Sequence, residues 1–372
     1  MLTGDITHHR QVVRTLSGAH DLNGYRESKE PIVTFTQENS TKLVRHAIHF
    51  TGPSRLPFTG SMGETDFSGD TVALFPDFGN QWWLGGGGCD EWGCEWVVNP
   101  DARDMGQVKN IVLPHLADYQ HLVVPNALNP QRYAAWEPVL ARAEREGKYV
   151  VLCNGPFLFE RAHFLHGFAD TLIDILDNPE LTQAFLRHLA GYHLDTVRYL
   201  QQHYPGRIHG YRGTDDWGTQ LAPLIAPHTF AEVFQPVYAE IFTAIHQAGM
   251  DVWMHSCGQN LALLPALIEA GLDVVNLMQP AIFPIPRLKE LRGRICFEMV
   301  GDMQTTLPAG DPAAIQQEIA AIIDACCTAS GGLIVETMDR MFYESNDIAP
   351  ATGCFCAAEY RRQDPWQNPH RD

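Results

Sequence analysis

Apolar and β-branched residues recur along the chain in short runs that end in polar or glycine-containing segments. The runs are 55–58, 72–75, 149–152, 207–211, 251–254, 273–277, 294–297 and 332–335. Their length and their bounding turn residues predict eight strands. Between the later runs the period changes to that of a helix. Leu181, Phe185, Leu189 and Tyr192 mark one apolar stripe, and Phe230, Val233, Phe234, Val237 and Ile241 mark another. Pro236 suits the first turn of a new helix, and Gly249 and Gly271 stand where helices should stop, each followed at once by a strand. Strands alternating with helices over short connections predict a parallel sheet. Eight such units predict its closure into an α/β (β/α)8 TIM barrel.

The remaining pattern sets the organisation around that barrel. Residues 1–35 show no sustained period and read as an N-terminal arm, a candidate contact for a homodimer. Leu43, Val44, Ala47 and Ile48 form one face of a short helix that Gly52-Pro53 stops. The stretch 82–96, rich in Gly and Trp, is the main insertion. No repeat appears beyond the alternation itself, so 1–372 reads as one barrel domain.

Composition narrows the function classes. The chain of 372 residues has 45% hydrophobic residues, enough for one large core. Its 26 basic and 44 acidic side chains give a net charge of −18, which repels phosphate backbones and anionic lipid. A polar start and the lack of an apolar stretch near the roughly 18 residues of a membrane span lead to the expectation of a soluble, cytoplasmic protein. Nine cysteines in such a chain point to thiol or metal chemistry rather than to a disulfide framework. Cys326, in line with Ile315, Ile319 and Ile322, reads as packing.

In barrels of this kind the chemistry sits in the loops after the C-terminal ends of the strands. That filter selects Asp77, Asn154, the segment 214–217, His255 to Cys257, Gln279, Asp302 and the segment 336–339. Side chains at i and i+2 on an extended strand end point the same way, so His255 and Cys257 can reach one ion. Imidazole with thiolate suits zinc rather than magnesium or calcium. A buried His beside a buried Cys also arises as plain packing; the position after a strand and ahead of Gly258 turns the pair toward metal. Glu336 is the first ligating side chain after the eighth strand and the expected third ligand, with a solvated loop carboxylate as its other reading. Cys354 and Cys356 come later and read as the start of the last helix.

Asp215 and Asp216 form a carboxylate pair suited to proton transfer or to orienting a ligand, or else to capping a helix. With Asp77 they are the expected catalytic residues. Trp92, with Trp82, Trp83 and Trp96, suits an apolar substrate wall, or a packed hairpin with a mobile tip. Asn154, Trp217 and Gln279 complete the expected substrate contacts. The glycines 85–88 are not a phosphate loop, because Cys89, Asp90 and Glu91 follow them rather than Lys-Ser or Lys-Thr.

The order and spacing of Thr214-Asp215-Asp216-Trp217-Gly218-Thr219-Gln220, His255-Ser256-Cys257-Gly258 and Ile268-Glu269-Ala270-Gly271-Leu272-Asp273 resemble the uroporphyrinogen decarboxylase superfamily, particularly its corrinoid-dependent methyltransferase branch. The resemblance runs from about Thr41 to Tyr360. It implies a (β/α)8 barrel with zinc on His255 and Cys257. It also implies methyl transfer between a small methylated compound, of methyl ether, methylamine or thiol type, and the corrinoid (cobalamin) of a separate partner protein. That branch supplies a further Cys after the eighth strand, whereas this chain has Glu336-Thr337-Met338-Asp339 there. One thiolate and one carboxylate would leave the zinc site nearly neutral, which favours polarising a methyl donor over activating a thiol. The alternatives are a cofactor-independent decarboxylase using Asp77 and the Asp215-Asp216 pair, and a non-catalytic corrinoid or metal-binding protein. Uroporphyrinogen itself is disfavoured, because the arginine-rich segment that clamps its carboxylates has no counterpart near residues 40–80.

Overall fold

A computed structural model describes residues 38–61, 65–79, 87–98, 106–338 and 340–368 of the chain. The expected arm 1–35, Trp82, Trp83 and Asp339 lie outside the described residues. The strands are β1 (Thr71–Leu74), β2 (Gly88–Cys89), β3 (Glu95–Val97), β4 (Gln107–Val108), β5 (Tyr149–Pro156), β6 (Gly210–Thr214), β7 (Asp251–His255), β8 (Val274–Leu277), β9 (Cys296–Met299) and β10 (Leu333–Val335). Seven of them form one parallel sheet in the order β1-β5-β6-β7-β8-β9-β10, and helices connect them along the outside. This is a curled, TIM-like α/β barrel.

The run 55–58, expected as the first strand, is the exception. It makes a single parallel bridge, Phe58 to Val335, and spans the seam between β10 and β1. The Pro57 carbonyl accepts from the Val335 N–H at 2.9 Å, the Val335 carbonyl accepts from Thr59 N–H at 2.9 Å, and the Phe58 carbonyl accepts from Asp70 N–H at 2.6 Å. Pro57 has no N–H to give, so the segment closes the barrel without extending into a regular ladder. Other boundaries shift, and β5, expected at 149–152, runs on to Pro156. The strands expected at 207–211 and 294–297 start later and run on to Thr214 and Met299, taking in Arg212 and Glu298. An interior that accommodates polar groups lets these strands continue past the last apolar residue.

Alternation along each strand builds that interior. Tyr149 and Val151 of β5, Trp253 of β7, Val274 of β8, Cys296 of β9 and Ile334 of β10 pack into one apolar cluster. Helix Ser40–Ile48 contributes Val44, Ala47 and Ile48 to it, so the N-terminal mouth of the barrel is plugged. Two residues further along the same strands stand Cys153, His255, Asn276, Glu298 and Glu336. With a side-chain period of two, a residue two places on faces the same way, so an apolar floor dictates where a polar ring lies above it.

β2, β3 and β4 form a separate antiparallel sheet. Asp90 fixes the turn between β2 and β3: its carboxylate accepts from the backbone N–H groups of Trp92 and Cys94 (both 2.9 Å), from Trp96 Nε1 (3.1 Å) and from Arg161 Nη1 (3.0 Å). Residues 88–97 therefore form a packed hairpin tied to the barrel. Among the described residues no helix is long and apolar enough to cross a membrane.

Candidate metal centre and adjoining cavity

His255 ends β7, and the loop after it bends so that Cys257 folds back beside the imidazole. Cys257 Sγ lies 3.3 Å from His255 Nε2, and Asp216 Oδ1 lies 3.6 Å from the same nitrogen. One ligand atom from each of Asp216, His255 and Cys257 falls within 4.8 Å of the others. The bend depends on Gly258, whose φ is +80°. A Cβ there would meet the Gly218 carbonyl oxygen at 2.0 Å, so only glycine lets the two loops touch. Hydrogen bonds join them: Gly218 N–H to the Cys257 carbonyl (3.2 Å), Gln259 N–H to the Thr219 carbonyl (2.7 Å) and Cys257 N–H to Asp216 Oδ1 (2.7 Å). Two of the segments that carry the sequence resemblance thus lie side by side.

The other ring nitrogen of His255 sets its tautomer. Nδ1 lies 2.6 Å from Asn276 Oδ1. The amide of Asn276 faces acceptors on its other side, Glu336 Oε2 at 2.7 Å and the Glu298 carbonyl at 3.4 Å, so Nδ2 belongs there and Oδ1 faces the histidine. His255 therefore carries its proton on Nδ1 and leaves the Nε2 lone pair toward Cys257 and Asp216. Burial, followed by the charges of Asp216, Glu160 and Glu336, pushes the Cys257 thiol well above its usual range. A divalent cation would invert that situation, since it supplies the missing positive charge and stabilises the thiolate. Imidazole nitrogen, sulfur and one carboxylate oxygen fit zinc, with a fourth position open.

Glu336 sits one step away from this cluster. Its carboxylate accepts from Asn276 and lies 3.7 Å from Arg212 Nη2, while Arg212 is also paired with the buried Glu298. Burial and the Glu298 charge push Glu336 up to about 8 against the pull of Arg212. Its oxygens are engaged by Asn276 and Arg212 rather than by the His255–Cys257 pair. The structure brings Asp216 beside the His–Cys pair where the sequence suggests Glu336.

The consecutive aspartates separate in role. Asp215 is fully buried and accepts from the N–H groups of Leu158 and Glu160 (both 2.8 Å) and from the Tyr238 hydroxyl. It pins the start of helix Phe159–His166 beneath the site, and burial raises it to about 6. Asp216 faces the opposite way, into the cavity.

That cavity, of about 360 Å3, adjoins His255 and Asp216. Trp92 and Asn154 line it, as the sequence suggests. Trp217 and Gln279, suggested in the same role, do other things. Trp217 is completely buried, stacked on Phe159 at 4.3 Å with Nε1 donating to Tyr238; Gln279 Oε1 accepts from Gly258 N–H at 3.0 Å and so steadies the metal loop. Asp77 is exposed outside the cavity, where its Oδ1 accepts from Gly79 N–H in an Asx turn. Cys354 and Cys356 lie in the last long helix, Pro350–Arg362.

Several lining residues escape a filter that looks only beyond strand ends. Arg212 lies within β6, and Glu160, Arg161 and Tyr192 lie on helices. A polar residue inside an apolar strand run, as with Arg212, Asn276 and Glu298, is the signal that would have found the interior ones.

Comparison with known proteins places this geometry. No curated protein matches the chain in sequence. A methyltransferase from Methanosarcina mazei is similar in structure, with a TM-score of 0.63 at 13% identity over 87% of this chain and 98% of that one. Two further structures have lower scores. A putative vitamin-B12 independent methionine synthase from Listeria monocytogenes reaches 0.36 at 14% identity, over 58% of this chain and 64% of that one. D-psicose 3-epimerase from Clostridium cellulolyticum H10 reaches 0.40 at 10%, over 63% and 86%. A sequence profile described as uroporphyrinogen decarboxylase (URO-D) matches residues 91–337, well over half of the chain. The chain belongs to the uroporphyrinogen decarboxylase family.

Proposed function

We propose that this protein is a zinc-dependent methyltransferase that moves a methyl group between a small methylated compound and the corrinoid of a separate protein docked at the C-terminal mouth of the barrel. The observation that carries the reading is the His255–Cys257–Asp216 cluster at the edge of a cavity, with His255 held in the tautomer that a metal requires. The fold likeness to the Methanosarcina mazei methyltransferase is consistent with it.

His255, Cys257 and Asp216 would hold the ion, and bound zinc would act as a Lewis acid on the heteroatom that carries the methyl group. The remaining work falls to the chain. Asn276 keeps the imidazole oriented, Gly258 and Gln279 fix the loop that presents Cys257, and Asp215 holds helix Phe159–His166 in place. The Asp216 side chain is 44% exposed and that of His255 17%. The cluster is therefore reachable from the mouth, where a partner would approach. Thiolate and carboxylate together balance a divalent charge, which favours polarising a methyl donor.

Decarboxylation of a polycarboxylate draws less support. Both arginines in the cavity wall are already committed, Arg161 to Asp90 and Arg212 to Glu298. Asp77, which that reading would use, is outside the cavity.

Metal analysis tests the proposal. The wild type is expected to carry one zinc per chain; His255→Ala, Cys257→Ala and Asp216→Ala lose it, and Glu336→Gln keeps it. Purified wild type without stoichiometric zinc, or with no methylation of a reduced corrinoid protein by any methyl donor, would overturn it.

A further inference from the structure

In the polar ring above the apolar floor, one guanidinium serves two buried carboxyl groups. The side chains of Glu298 and Glu336 are 0% and 2% exposed, and that of Arg212 is 8% exposed. Arg212 Nη1 donates to Glu298 Oε2, its Nη2 lies 3.7 Å from Glu336 Oε1, and Asn276 Nδ2 donates to Glu336 Oε2 at 2.7 Å. Glu298 Oε1 is buried without a hydrogen-bond partner among the described residues. Both acids point into the same interior from neighbouring strands, since β9 and β10 pair with Ile334 beside Glu298 and Glu336 follows two residues on.

Two ionised carboxylates here would leave an uncompensated negative charge and one bare acceptor in the interior, and both are costly. A single proton held by the pair balances the charge against Arg212 and supplies a donor that two ionised groups lack. The surrounding groups do not offer another solution. Asn276 carries no charge; burial pushes the Cys153 thiol up to about 12, and burial likewise raises the Tyr343 hydroxyl, so neither adds charge near neutral pH. Burial and the Glu298 charge raise Glu336 to about 8.

Of the two acids, Glu336 lines the cavity, together with His255 and Asp216. Resting on the methyl-transfer reading above, we propose that Glu298 and Glu336 share one proton and that Glu336 delivers it to the heteroatom that loses the methyl group. The bond from carbon to that heteroatom breaks with its electron pair on the heteroatom, which takes the proton of Glu336. The methyl carbon takes its new pair from Co(I) of the partner's corrinoid, which becomes Co(III), and the acid pair regains its proton from water. Arg212 receives the charge that donation leaves behind. Glu160, another acid in the cavity wall, lacks that support: it accepts from the Thr214 hydroxyl, and the charges of Asp216 and Asp215 oppose the loss of its proton.

Infrared spectra of the zinc-loaded protein detect the proton as the carbonyl stretch of a protonated carboxyl. One such band is expected to be present at pH 7, to fade as pH rises through about 8, and to be absent from Glu336→Gln. Glu298→Gln is expected to lose it too, because Arg212 is then free to hold Glu336 as a carboxylate; this variant and the pH series decide the matter should Glu336→Gln fail to fold. Methyl transfer is followed by the absorbance of a reduced corrinoid protein, with anisole, trimethylamine and dimethyl sulfide as donors. Glu336→Gln is expected to lower kcat by about a hundredfold or more with KM changed less than about threefold, and to lose the fall in kcat that wild type shows toward alkaline pH. Spectra unchanged by both substitutions overturn the shared proton. A lost band with kcat within about threefold of wild type overturns the donor role and leaves the methyltransferase reading standing. No methyl transfer by wild type from any of the three donors overturns the donor role together with that reading, while a band lost in both variants then still supports the shared proton.

Discussion

His255 Nδ1 donates to Asn276 Oδ1 across 2.6 Å, and the same Asn276 donates through Nδ2 to Glu336. Strands β7 and β8, and the residue that follows β10, thereby fix one imidazole. Outer partners of this kind matter to a metal site nearly as much as the ligands. Asn276→Ala is expected to keep the fold and to weaken zinc binding by about 10–100-fold. Chelator competition measures this, and unchanged affinity would show that the histidine needs no orienting partner.

Gly258 combines a φ of +80° with backbone contact to Gly218. Gly258→Ala adds a methyl group where the Gly218 carbonyl stands and places a residue with Cβ in the left-handed region. A cost of about 1–3 kcal/mol or more follows. The expected outcome is a Tm lower by several degrees together with weaker zinc binding, because the displaced loop is the one that carries Cys257. A variant with wild-type Tm and zinc content would contradict the close approach.

Asp90 is buried with four donors on its carboxylate, one of them Arg161. Asp90→Ala leaves that guanidinium buried without its partner, at a cost of about 3–5 kcal/mol. It also frees the turn that presents Trp92 to the cavity. Kinetic measurements are expected to show a larger rise in KM for the methyl donor than fall in kcat, because the wall is disturbed while the metal cluster is not. The reverse pattern would place the hairpin's role in the chemical step.

Burial holds His193 and His209 at about 4. His209 Nδ1 accepts from Val150 N–H at 2.9 Å, a bond that protonation destroys. Their folded pKa values lie below the unfolded value of about 6.5, so the stability they contribute is fully present above about pH 6.5 and is lost as pH falls through about 4. Two protons correspond to a slope of about 2.7 kcal/mol per pH unit at its steepest. His49 and His246, raised by hydrogen bonds to Asp251 and Asp273, act oppositely: their contribution is complete below about pH 6.5 and fades as pH rises through their folded values. Both are about half exposed, and solvent screening reduces their share. Tm between pH 4 and 7 is expected to fall toward acid, with a shallower fall in His209→Asn. A flat profile would mean that these rings are hydrated.

The barrel was legible because its signals are local. Strand runs, amphipathic stripes and the glycines that stop helices each occupy a few neighbouring positions. The helix Ser40–Ile48, the turn begun at Pro236 and the stops at Gly249 and Gly271 all appear where the pattern puts them. Pro57 marks the limit of that reading: an apolar run looks like a strand, but a residue without an N–H joins the sheet through a bridge only.

The site was half legible. His255 and Cys257 are two residues apart, so the period of a strand and one glycine determine that they meet. Asp216 is some forty positions away and reaches them because β6 and β7 pair in register, Thr214 beside His255. Its neighbour Asp215 has the same chemistry and faces the opposite way, and Trp217 next to it belongs to the core rather than to the substrate. Sequence by itself determined the folding pattern and the His–Cys pair. Only tertiary structure decided which carboxylate completes the cluster and which aromatic rings wall the cavity, because those contacts depend on strand register and loop approach between residues far apart in the chain.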